Sequence, residues 1–531
     1  MEKDLVVESQ GKQIELNDKF LQALEAIEKS DRNVFITGKA GTGKSTLLSY
    51  FRKTTKKNVV VLAPTGVAAI NVDGMTIHSF FGFGPDITPA MVKRHTGLNK
   101  KIYQKIDAVV IDEISMVRAD LLDCVEKFLR LNGKLPGEKF GGIQMIFIGD
   151  LYQLPPVVTS KEKEIFKKQY KSPYFFDAKA FEDLEMGFIE LEKIYRQKDK
   201  KFIGLLNAVR NRSVTEDDIK EINKRVDNDF HPPKDEFYIN LTTTNEHSRI
   251  INEAELAKLE GRLFNFNGKL KGKFDKNLIP TDIDLKLKSG AQVMLLNNDA
   301  GRRWVNGTVG KIKDIIKDGK EEVILVELQD GETVKVSRFT WTIYKLFYNP
   351  SINNLDSETV GSFTQYPIRL AWSVTIHKGQ GKTFDKVVID IGNGAFTHGQ
   401  VYVALSRCTS LQGIVLRKPI EKKHIWMDWK IVNFLTRYQY QIASKKYSQE
   451  EKLKIIQDAI ENESKLEITY LKSNDTKSKR TILPRKVGEM EYLGRSYTGV
   501  EAYCYLRQDE RVFRVDRILE INTPQDAHET D

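Results

Sequence analysis

The stretch Gly38–Ser45 (GKAGTGKS) constrains the fold of this chain more than any other. It fits the pattern G-x-x-x-x-G-K-[ST] at every specified position. The apolar run Asn33–Thr37 precedes it, and Thr46–Phe51 continues with apolar residues at helical spacing. A strand that turns through glycines into a helix directs backbone N–H groups and the positive end of a helix dipole at one point, which suits a triphosphate. A chance glycine-rich turn, the alternative, would not explain the flanking strand and helix.

Each position of this phosphate loop has an expected task. Gly41 and Gly43 let the backbone approach an anion without a Cβ in the way. Lys44 would reach the β- and γ-phosphates, and the Ser45 hydroxyl would ligate Mg²⁺. We therefore expect ATP and Mg²⁺ as cofactors. The residues expected to hold them here are Gly41, Thr42, Gly43, Lys44, Ser45 and Thr46.

Composition limits the class of protein and its partners. A chain of 531 residues should hold roughly three to five domains. The formal net charge of +10 favours a polyanionic partner, although a solvated lysine-rich surface explains it nearly as well. The three cysteines lie far apart, which indicates neither a disulfide framework nor a Cys-rich metal site and favours a cytoplasmic location. The first residues, MEKDLVVESQ, hold no apolar core of signal-peptide length, and no apolar run is long enough to predict a membrane span.

Two further apolar runs end in polar side chains. Ala108–Ile111 reads as a strand buried on both faces of a parallel sheet, and Asp112 and Glu113 follow it. Asp112 is expected to hold Mg²⁺ through water, and Glu113 to accept a proton from the attacking water. After the run Met145–Ile148, Gln153 can sense the γ-phosphate or orient water.

Hydroxyl groups and a histidine follow the strand Asn58–Leu62. The segment from Thr65 to Phe81 includes His78, and it lies past the carboxyl end of a strand, where open α/β sheets bind ligands. Such groups suit a sugar-phosphate backbone and unstacked bases. Phe80 and Phe81, taken alone, read as core residues.

The second half of the chain repeats this architecture without a phosphate loop. Four runs read as strands, and their residues are 237–245, 369–375, 387–391 and 413–416. Short alternating strands with glycine turns at about 290–365 predict a small β-barrel inserted among them. The stretch Gln400–Arg407 follows, and Arg407 is suited to reach the γ-phosphate if a second lobe faces the first. A surface salt bridge is the ordinary alternative for one arginine.

The last hundred residues form a separate region. Residues 440–465 are charged and helix-prone, as in a linker. From Leu466 to Ile521 short strand-like runs predict a compact module of about sixty residues that repeats no earlier motif.

Together these motifs resemble the Pif family of superfamily-one DNA helicases. The matching stretches are GKAGTGKST, APTGVAAINVDGMTIHSFFG, VVIDEISMV, FGGIQMIFIGDLYQLPPV, LEKIYRQ, TIHKGQGKTF and VYVALSRC. The resemblance implies an α/β fold of two RecA-like parallel-sheet lobes and an ATP-driven motor that moves 5′ to 3′ on single-stranded DNA and opens tailed duplexes. It implies a first lobe over 1–195 with a wedge at about 75–105, a second lobe over 196–440 that carries the barrel, a linker over 441–461 and a tail over 462–531.

The resemblance also assigns residues. Those implied to serve the nucleotide are Lys44, Ser45, Asp112, Glu113, Gln153, Arg196, Gln380, Gly381 and Arg407. Those implied to lie on the DNA track are Thr65, His78, Thr375 and His377. The chain departs from the family pattern in one place, because Phe20 stands where an adenine-contacting glutamine usually follows Leu16 by four residues, and Gln22 is displaced from it.

The tail resembles a WYL domain, a small barrel implied to bind nucleic acid or a nucleotide-like ligand. The matching pieces are Tyr470, RTILPRKV, YTGVEAYCYL and RVFRVDRI. Its arginines, which could present guanidinium groups to phosphate, are Arg480, Arg507, Arg511, Arg514 and Arg517. Two other hypotheses are weaker. A DNA-gated ATPase regulated through this module would not require every hydrolytic group, and the stretch FGGIQ together with the APTGVAA-to-TIHSFFG block disfavours RecD-like work in a nuclease complex. We expect a monomer in solution, and G-quadruplex DNA and RNA–DNA hybrids are further candidate substrates.

Overall fold

The computed structural model describes residues 5–9, 12–84, 86–96, 98–158, 160–233, 235–274, 279–318, 321–352, 354–392, 397–473, 475–492 and 494–522. The chain divides into two compact units. The larger unit comprises Asp4–Arg210 and Val214–Trp426. The smaller, C-terminal unit consists mainly of Met427–Asp531, together with Asn211–Ser213. Each unit has a hydrophobic core of its own.

A six-stranded parallel sheet forms the first lobe of the larger unit. After the hairpin β1 (Leu5–Ser9) and β2 (Lys12–Leu16), its strands are β3 (Asn33–Gly38), β4 (Val59–Ala63), β5 (Met75–Thr76), β6 (Ala108–Ile111), β7 (Gln144–Ile148) and β8 (Met186–Leu191). Their order in the sheet is β5-β4-β6-β7-β3-β8. Every residue of β6 and β7 is buried, as apolar strands covered on both faces must be. Because β7 lies between β3 and β6, the residues that follow these three strands meet at one edge.

Short helices connect the strands of the first lobe. They are α1 (Asp18–Glu28), α2 (Lys44–Thr54), α3 (Gly66–Asn71), α4 (Ile77–Phe81), α5 (Leu98–Gln104), α6 (Ala119–Asn132) and α7 (Ser160–Gln169). Asn17 caps α1, because its side chain accepts a hydrogen bond from the Phe20 amide at 3.0 Å. Phe80 and Phe81 are buried and pack against the rings of Tyr103 and Phe128, which fits their interpretation as core residues.

The chain enters the second lobe through two helices. The elements of this part are α8 (Lys200–Arg210), α9 (Glu216–Asn223), β9 (Ile239–Thr242) and α10 (Asn245–Lys258). Thr215 and Asp218 form a capping box at the start of α9, where each satisfies a backbone N–H of the other. Arg210, the last residue of α8, is buried.

A β-rich insertion follows α10. Its strands are β10 (Phe264–Asn267), β11 (Lys269–Gly272), β12 (Asp284–Leu287), β13 (Gln292–Leu295), β14 (Val309–Asp318), β15 (Glu321–Leu328), β16 (Thr333–Val336), β17 (Phe339–Asn349), β18 (Asn354–Gln365) and β19 (Ile368–Leu370). Five of them form the antiparallel sheet β16-β15-β14-β13-β19, whose apolar face is buried around Trp304 and Tyr366. Strands therefore extend on both sides of 290–365, the range expected for the insertion.

The second lobe closes with a four-stranded parallel sheet in the order β20-β9-β21-β22. Its remaining elements are β20 (Ser373–Thr375), β21 (Val387–Asp390), α11 (Gln400–Ser406) and β22 (Ile414–Leu416). The prediction of one strand over 369–375 was wrong. Ile368–Leu370 pairs antiparallel with β13 in the insertion, and only Ser373–Thr375 joins the parallel sheet, because the chain leaves one sheet and enters the other at this point.

The C-terminal unit consists of a five-stranded antiparallel sheet and two helices. Its elements are α12 (Trp429–Lys446), α13 (Gln449–Glu461), β23 (Leu466–Leu471), β24 (Lys477–Tyr492), β25 (Arg495–Cys504), β26 (Asp509–Arg514) and β27 (Ile518–Asn522). The strands follow the order β26-β25-β24-β23-β27. The range 441–461, expected to be a helical linker, holds the end of α12 and the whole of α13. α13 places Ile456 and Ala459 in the core of this unit.

The helices and cysteines add two observations on environment. Within the described ranges, no helix combines the length and the apolar character that a bilayer crossing demands. Cys124, Cys408 and Cys504 are free and buried. None of the three takes part in a disulfide.

Candidate active site

The phosphate loop connects β3 to α2 with the geometry that its glycines permit. Gly41 has φ +80°, and a Cβ there would lie 2.6 Å from Cβ of Arg196. Gly43, with φ +89°, is the N-cap of α2. The Lys44 ammonium donates hydrogen bonds to the carbonyl oxygens of Gly38 at 2.7 Å and Lys39 at 3.0 Å. Desolvation lowers the pKa of Lys44. Phosphate oxygens bound here would bring negative charge close to this ammonium and stabilise its charged form.

The N-terminus of α2 opens into a cleft of about 1090 Å³. Ser45 and Thr46 are exposed there, whereas Thr42 is buried and its hydroxyl donates to the Lys39 carbonyl at 2.9 Å. The predicted site residues that line this cleft are Ser45, Thr46, Thr65, Asp112, Glu113, His377, Gln380 and Gly381. Residues from both lobes and from the insertion therefore surround one cavity beside the phosphate loop.

Asp112 and Glu113 follow β6 at the floor of this cleft. Asp112 is buried, with 7 % of its surface exposed. Burial, and then the neighbouring charge of Glu113, raise the pKa of Asp112 to about 7. Burial likewise raises the pKa of Glu113. The backbone of Glu113 is left-handed, with φ +50° and ψ +43°, a conformation that costs energy in a non-glycine residue and is concentrated at functional sites.

This carboxylate pair fits a divalent cation. Burial is the largest cause of the raised pKa in both acids, so a bound cation would stabilise their charged forms. Asp112 and Ser45 line the same cleft, and carboxylate and hydroxyl oxygens are ligands that Mg²⁺ accepts. Ser45 and Asp112 are thus the side chains that would hold Mg²⁺.

Gln380 connects the two lobes at Glu113. Its Nε2 donates to Oε2 of Glu113 at 2.9 Å and to Oε1 of Gln153 at 3.3 Å. Gln380 lies just after β20 in the second lobe, whereas Glu113 and Gln153 belong to the first. Three residues that the motifs place far apart in sequence therefore share one hydrogen-bonded cluster.

Arg196 packs on the phosphate loop and reaches toward the second lobe. The backbone N–H of Tyr195 donates to the Gly41 carbonyl at 2.8 Å, which fixes the segment against the loop. The guanidinium of Arg196 donates to the carbonyls of Ser406 at 3.1 Å and Gly381 at 3.5 Å. Burial lowers the pKa of Arg196.

Arg407 is also buried, with 1 % of its surface exposed, and in this conformation its guanidinium is held by the second lobe. It donates to Oγ of Ser406 at 2.9 Å and to the carbonyls of Val403 at 3.0 Å and Lys382 at 3.3 Å. Burial, and then the nearby Arg196, lower the pKa of Arg407 to about 9. Contact with a γ-phosphate would require this guanidinium to exchange some of these partners, and its role stays a prediction.

Three buried residues were missed by sequence reasoning. The Tyr402 hydroxyl accepts from the Ala40 amide at 2.9 Å and donates to Oδ2 of Asp150 at 3.4 Å. Oδ1 of the same carboxylate accepts from Arg210 at 3.2 Å. Tyr402 and Asp150 stand within quoted motifs that could have signalled them, whereas Arg210 at the end of α8 had no such signal.

The four residues expected on the DNA track differ in their surroundings. Thr65 is exposed and caps α3 through the Ala68 amide at 3.2 Å. Thr375 is buried, and its hydroxyl accepts from the Lys378 amide at 3.3 Å. His78 and His377 are half-buried, and burial lowers the pKa of both, so each is mostly neutral at pH 7.

Asn17 and Gln22 are the two polar residues to compare as neighbours of the phosphate loop. Gln22 is exposed and accepts from the Lys19 ammonium at 3.3 Å. Asn17 instead donates to the Tyr195 hydroxyl at 2.8 Å, and the Tyr195 ring lies 3.9 Å from where a Cβ of Gly43 would be. Asn17 therefore contacts the residue whose ring lies beside Gly43, and Gln22 does not.

The first of two parallel sheets carries a phosphate loop, Gln380 reaches Glu113 from the second, and Arg196 extends from the loop to the second lobe. These features define a P-loop ATPase with two RecA-like lobes. Residues 13–220 match the family model of the PIF1-like helicase, and residues 451–523 match that of the WYL domain. ATP-dependent DNA helicase Pif1 of Bdellovibrio bacteriovorus is 32 % identical over 441 residues, which cover 80 % of this chain and 93 % of that protein. The chain belongs to the Pif1 family of ATP-dependent DNA helicases and carries a C-terminal WYL domain.

Solved structures agree with this assignment. The structure of Bacteroides sp Pif1 in complex with ADP-AlF4 aligns with a TM-score of 0.72 and 37 % identity, covering 81 % of this chain and 98 % of that one. Bacteroides Pif1 bound to ssDNA aligns with a TM-score of 0.60 and 38 % identity over the same shares of the two chains. The RecA-like fold and the C-terminal WYL domain expected from the sequence are confirmed.

Proposed function

We propose that this helicase moves 5′ to 3′ along single-stranded DNA and opens tailed duplexes by hydrolysing ATP between its two lobes. The observation that carries the proposal is the position of Gln380, whose amide bridges Glu113 and Gln153 across the cleft. A nucleotide bound at Lys44 would lie where both lobes contribute polar groups, so its hydrolysis changes the contacts between them.

The hydrolytic step follows from the chain's own groups. Lys44 leaves its carbonyl partners for the β- and γ-phosphates, and the loop amides surround the same oxygens. Glu113 accepts the proton of the attacking water, which its raised pKa favours. Gln153 and Gln380 orient that water and the γ-phosphate, and Arg196 and Arg407 oppose the charge that develops. Mg²⁺ held by Ser45 and Asp112 would supply positive charge to the phosphates.

The DNA track is proposed to run over the edges that carry Thr65, His78, Thr375 and His377. Bacteroides Pif1, with 38 % identity, has been solved bound to ssDNA, which supports single-stranded DNA as the ligand here. Because both histidines are mostly neutral at pH 7, they would contact the strand through hydrogen bonds and ring faces rather than through charge. Thr375, which is buried, would act by holding the turn that presents His377.

The proposed domains are two lobes, an inserted β-rich domain and the WYL domain. The separate sheets support these domain boundaries, although α13 shares the core of the C-terminal unit. We propose a monomer that works in the cytoplasm, and the three free cysteines favour that reducing location. G-quadruplex DNA is a further substrate that a strand-tracking motor would open by the same movement.

The test compares ATP-dependent strand separation of duplexes that carry a 5′ tail with duplexes that carry a 3′ tail. We expect unwinding from the 5′ tail alone. Glu113→Gln is the control, because it should still bind ATP and DNA yet lose at least about a hundredfold in turnover once the proton acceptor is removed. Unwinding from the 3′ tail would overturn the polarity. Hydrolysis without unwinding of either substrate would favour a DNA-gated ATPase regulated through the WYL domain.

A further inference from the structure

We propose that the hydroxyl group of Tyr402 is a positioning group that couples the second lobe to the phosphate loop during ATP hydrolysis. The inference rests on the proposed function, because it concerns the same nucleotide site. Tyr402 lies in α11, a helix of the second lobe, and it is buried with 4 % of its surface exposed. Its hydroxyl nevertheless contacts two elements of the first lobe.

The Tyr402 hydroxyl accepts one of these two hydrogen bonds and donates the other. The phenol oxygen accepts the backbone N–H of Ala40, inside the phosphate loop, at 2.9 Å. The hydroxyl proton points to Oδ2 of Asp150, just after β7, at 3.4 Å. Burial and the charge of Asp150 raise the pKa of Tyr402, so the group keeps this proton at every pH at which the enzyme works. One hydroxyl therefore connects α11, the phosphate loop and Asp150.

Asp150 is itself a junction of the site. It is fully buried, and Arg210 balances its charge at 3.2 Å while the Arg210 guanidinium lies 3.9 Å from the centre of the Tyr152 ring. The Tyr152 amide and the Gln153 side chain also donate to this carboxylate, at 3.1 Å and 3.4 Å. Gln153 then accepts from Gln380 beside Glu113, so the contact of Tyr402 leads through Asp150 to the residues proposed to orient water.

The same short helix carries the arginine proposed to oppose the γ-phosphate charge. Arg407 is the C-cap of α11, five residues after Tyr402, which corresponds to about 8 Å along a helix. At the other end of α11, the His398 ring lies 3.1 Å from the Leu151 carbonyl. A shift of α11 would therefore move Arg407 and strain the hydroxyl contact together, because a helix of this length moves as one body.

A purely structural role is the alternative. The hydroxyl could do no more than satisfy a buried amide and a buried carboxylate, and its loss would then cost stability alone. A positioning role adds a loss of catalytic rate at saturating ATP, because misplaced groups slow the chemical step even where binding of the nucleotide persists. Comparing the change in kcat with the change in KM therefore distinguishes the positioning role from the structural role.

The experiment compares Tyr402→Phe with Tyr170→Phe. The Tyr170 hydroxyl also donates to a buried carboxylate, Asp123 at 2.8 Å, but in the first lobe away from the nucleotide cleft. We measure Tm, mant-ADP affinity, and kcat and KM for ATP at saturating single-stranded DNA. Both variants should lose a few degrees in Tm. Tyr402→Phe should also lose about tenfold in kcat, with KM and mant-ADP affinity changed less than about twofold.

Wild-type kcat in Tyr402→Phe, or the same loss of kcat in both variants, would overturn the inference. A double-mutant cycle with Asp150→Asn tests whether Tyr402 acts through Asp150. Effects on kcat that multiply would mean that the two residues act independently. Lys44→Ala separates the inference from the proposed function. If turnover does not need Lys44, the nucleotide site is wrongly assigned and the inference falls with it. If turnover needs Lys44 and Tyr402→Phe is normal, the inference alone fails.

Discussion

Asp112 links the pH dependence of the site to its metal. Its pKa of about 7 in the metal-free protein means that a proton competes with Mg²⁺ near neutral pH. The affinity for Mg²⁺ should therefore rise about tenfold between pH 6 and pH 8, as measured by titration calorimetry with ATP present.

Because the ordinary pKa of Asp112 is 3.8, the metal-free protein should also lose stability as the pH rises from about 4 through 7, and Mg²⁺ should restore that stability. Asp112→Asn is the control that should abolish the trend in Mg²⁺ affinity and weaken the trend in stability, because Glu113, whose pKa is also raised, remains. An Mg²⁺ affinity of the unchanged protein that stays constant over this pH range would contradict the prediction.

At the level of single residues, the sequence predicts side chains whose task is local. The phosphate loop and the pair Asp112–Glu113 are specified by neighbours in sequence, because a strand, a turn and a helix start fix their directions. The contacts of Tyr402 and Arg210 depend on which helix faces which loop across two lobes, and no local pattern encodes that. The roles of the site residues remain predictions, and the held position of Arg407 could not be read from its motif because it depends on surrounding carbonyls.

At the level of elements, Gly399 sets how closely α11 approaches the loop after β7. It has φ +73°, and a Cβ would lie 2.4 Å from the carbonyl oxygens of both Tyr152 and Gln153. Gly399→Ala should therefore lower the free energy of unfolding by about 1 kcal/mol, because a left-handed alanine is strained. The clash should lower it by about 1–3 kcal/mol more. Gly82→Ala is the matched control, since Gly82 has φ +66° and nothing within 4 Å of a Cβ.

Urea denaturation and DNA-stimulated ATPase activity measure the two effects. We expect Gly399→Ala to lose both stability and ATPase activity, because the clash displaces the helix that carries Tyr402 and Arg407. Gly82→Ala should lose about 1 kcal/mol of unfolding free energy and keep its ATPase activity. Equal losses in the two variants would mean that backbone strain, and not the close approach of α11, explains the effect.

The secondary structure could be predicted where hydrophobic runs were unambiguous. Strand β6 is apolar throughout and β7 is apolar after Gln144, and both lie where the pattern puts them. The error at 369–375 arose because a run of β-prone residues gives no sign of which sheet it joins; pairing with β13 decides this, and β13 lies some seventy residues earlier. The chain order of motifs predicts the RecA-like lobes, whereas the extent of the insertion depends on tertiary pairing.

At the level of the whole molecule, the basic charge is unevenly distributed along the chain. Residues 427–531 contain 18 Lys and Arg and 18 Asp and Glu, so the entire net charge of +10 lies in residues 1–426. Several arginines of the tail also pair with acids, as Arg514 does with Asp516 at 2.6 Å. Electrostatic attraction to DNA phosphates should therefore come mainly from residues 1–426.

Removing the C-terminal unit tests this distribution. The C-terminal unit has a core of its own, and unliganded Bacteroides Pif1 aligns over 97 % of its length with only 80 % of this chain, so residues 1–426 should fold without the tail. We expect the 1–426 chain to keep its ATPase kcat within about threefold and to change the slope of log affinity against log salt for single-stranded DNA by less than about one. Fluorescence anisotropy from 50 to 300 mM salt measures that slope. A decrease of this slope by two or more would mean that the arginines of the WYL domain contact phosphates, although residues 427–531 have zero net charge. Each lost phosphate contact lowers the slope by about 0.7.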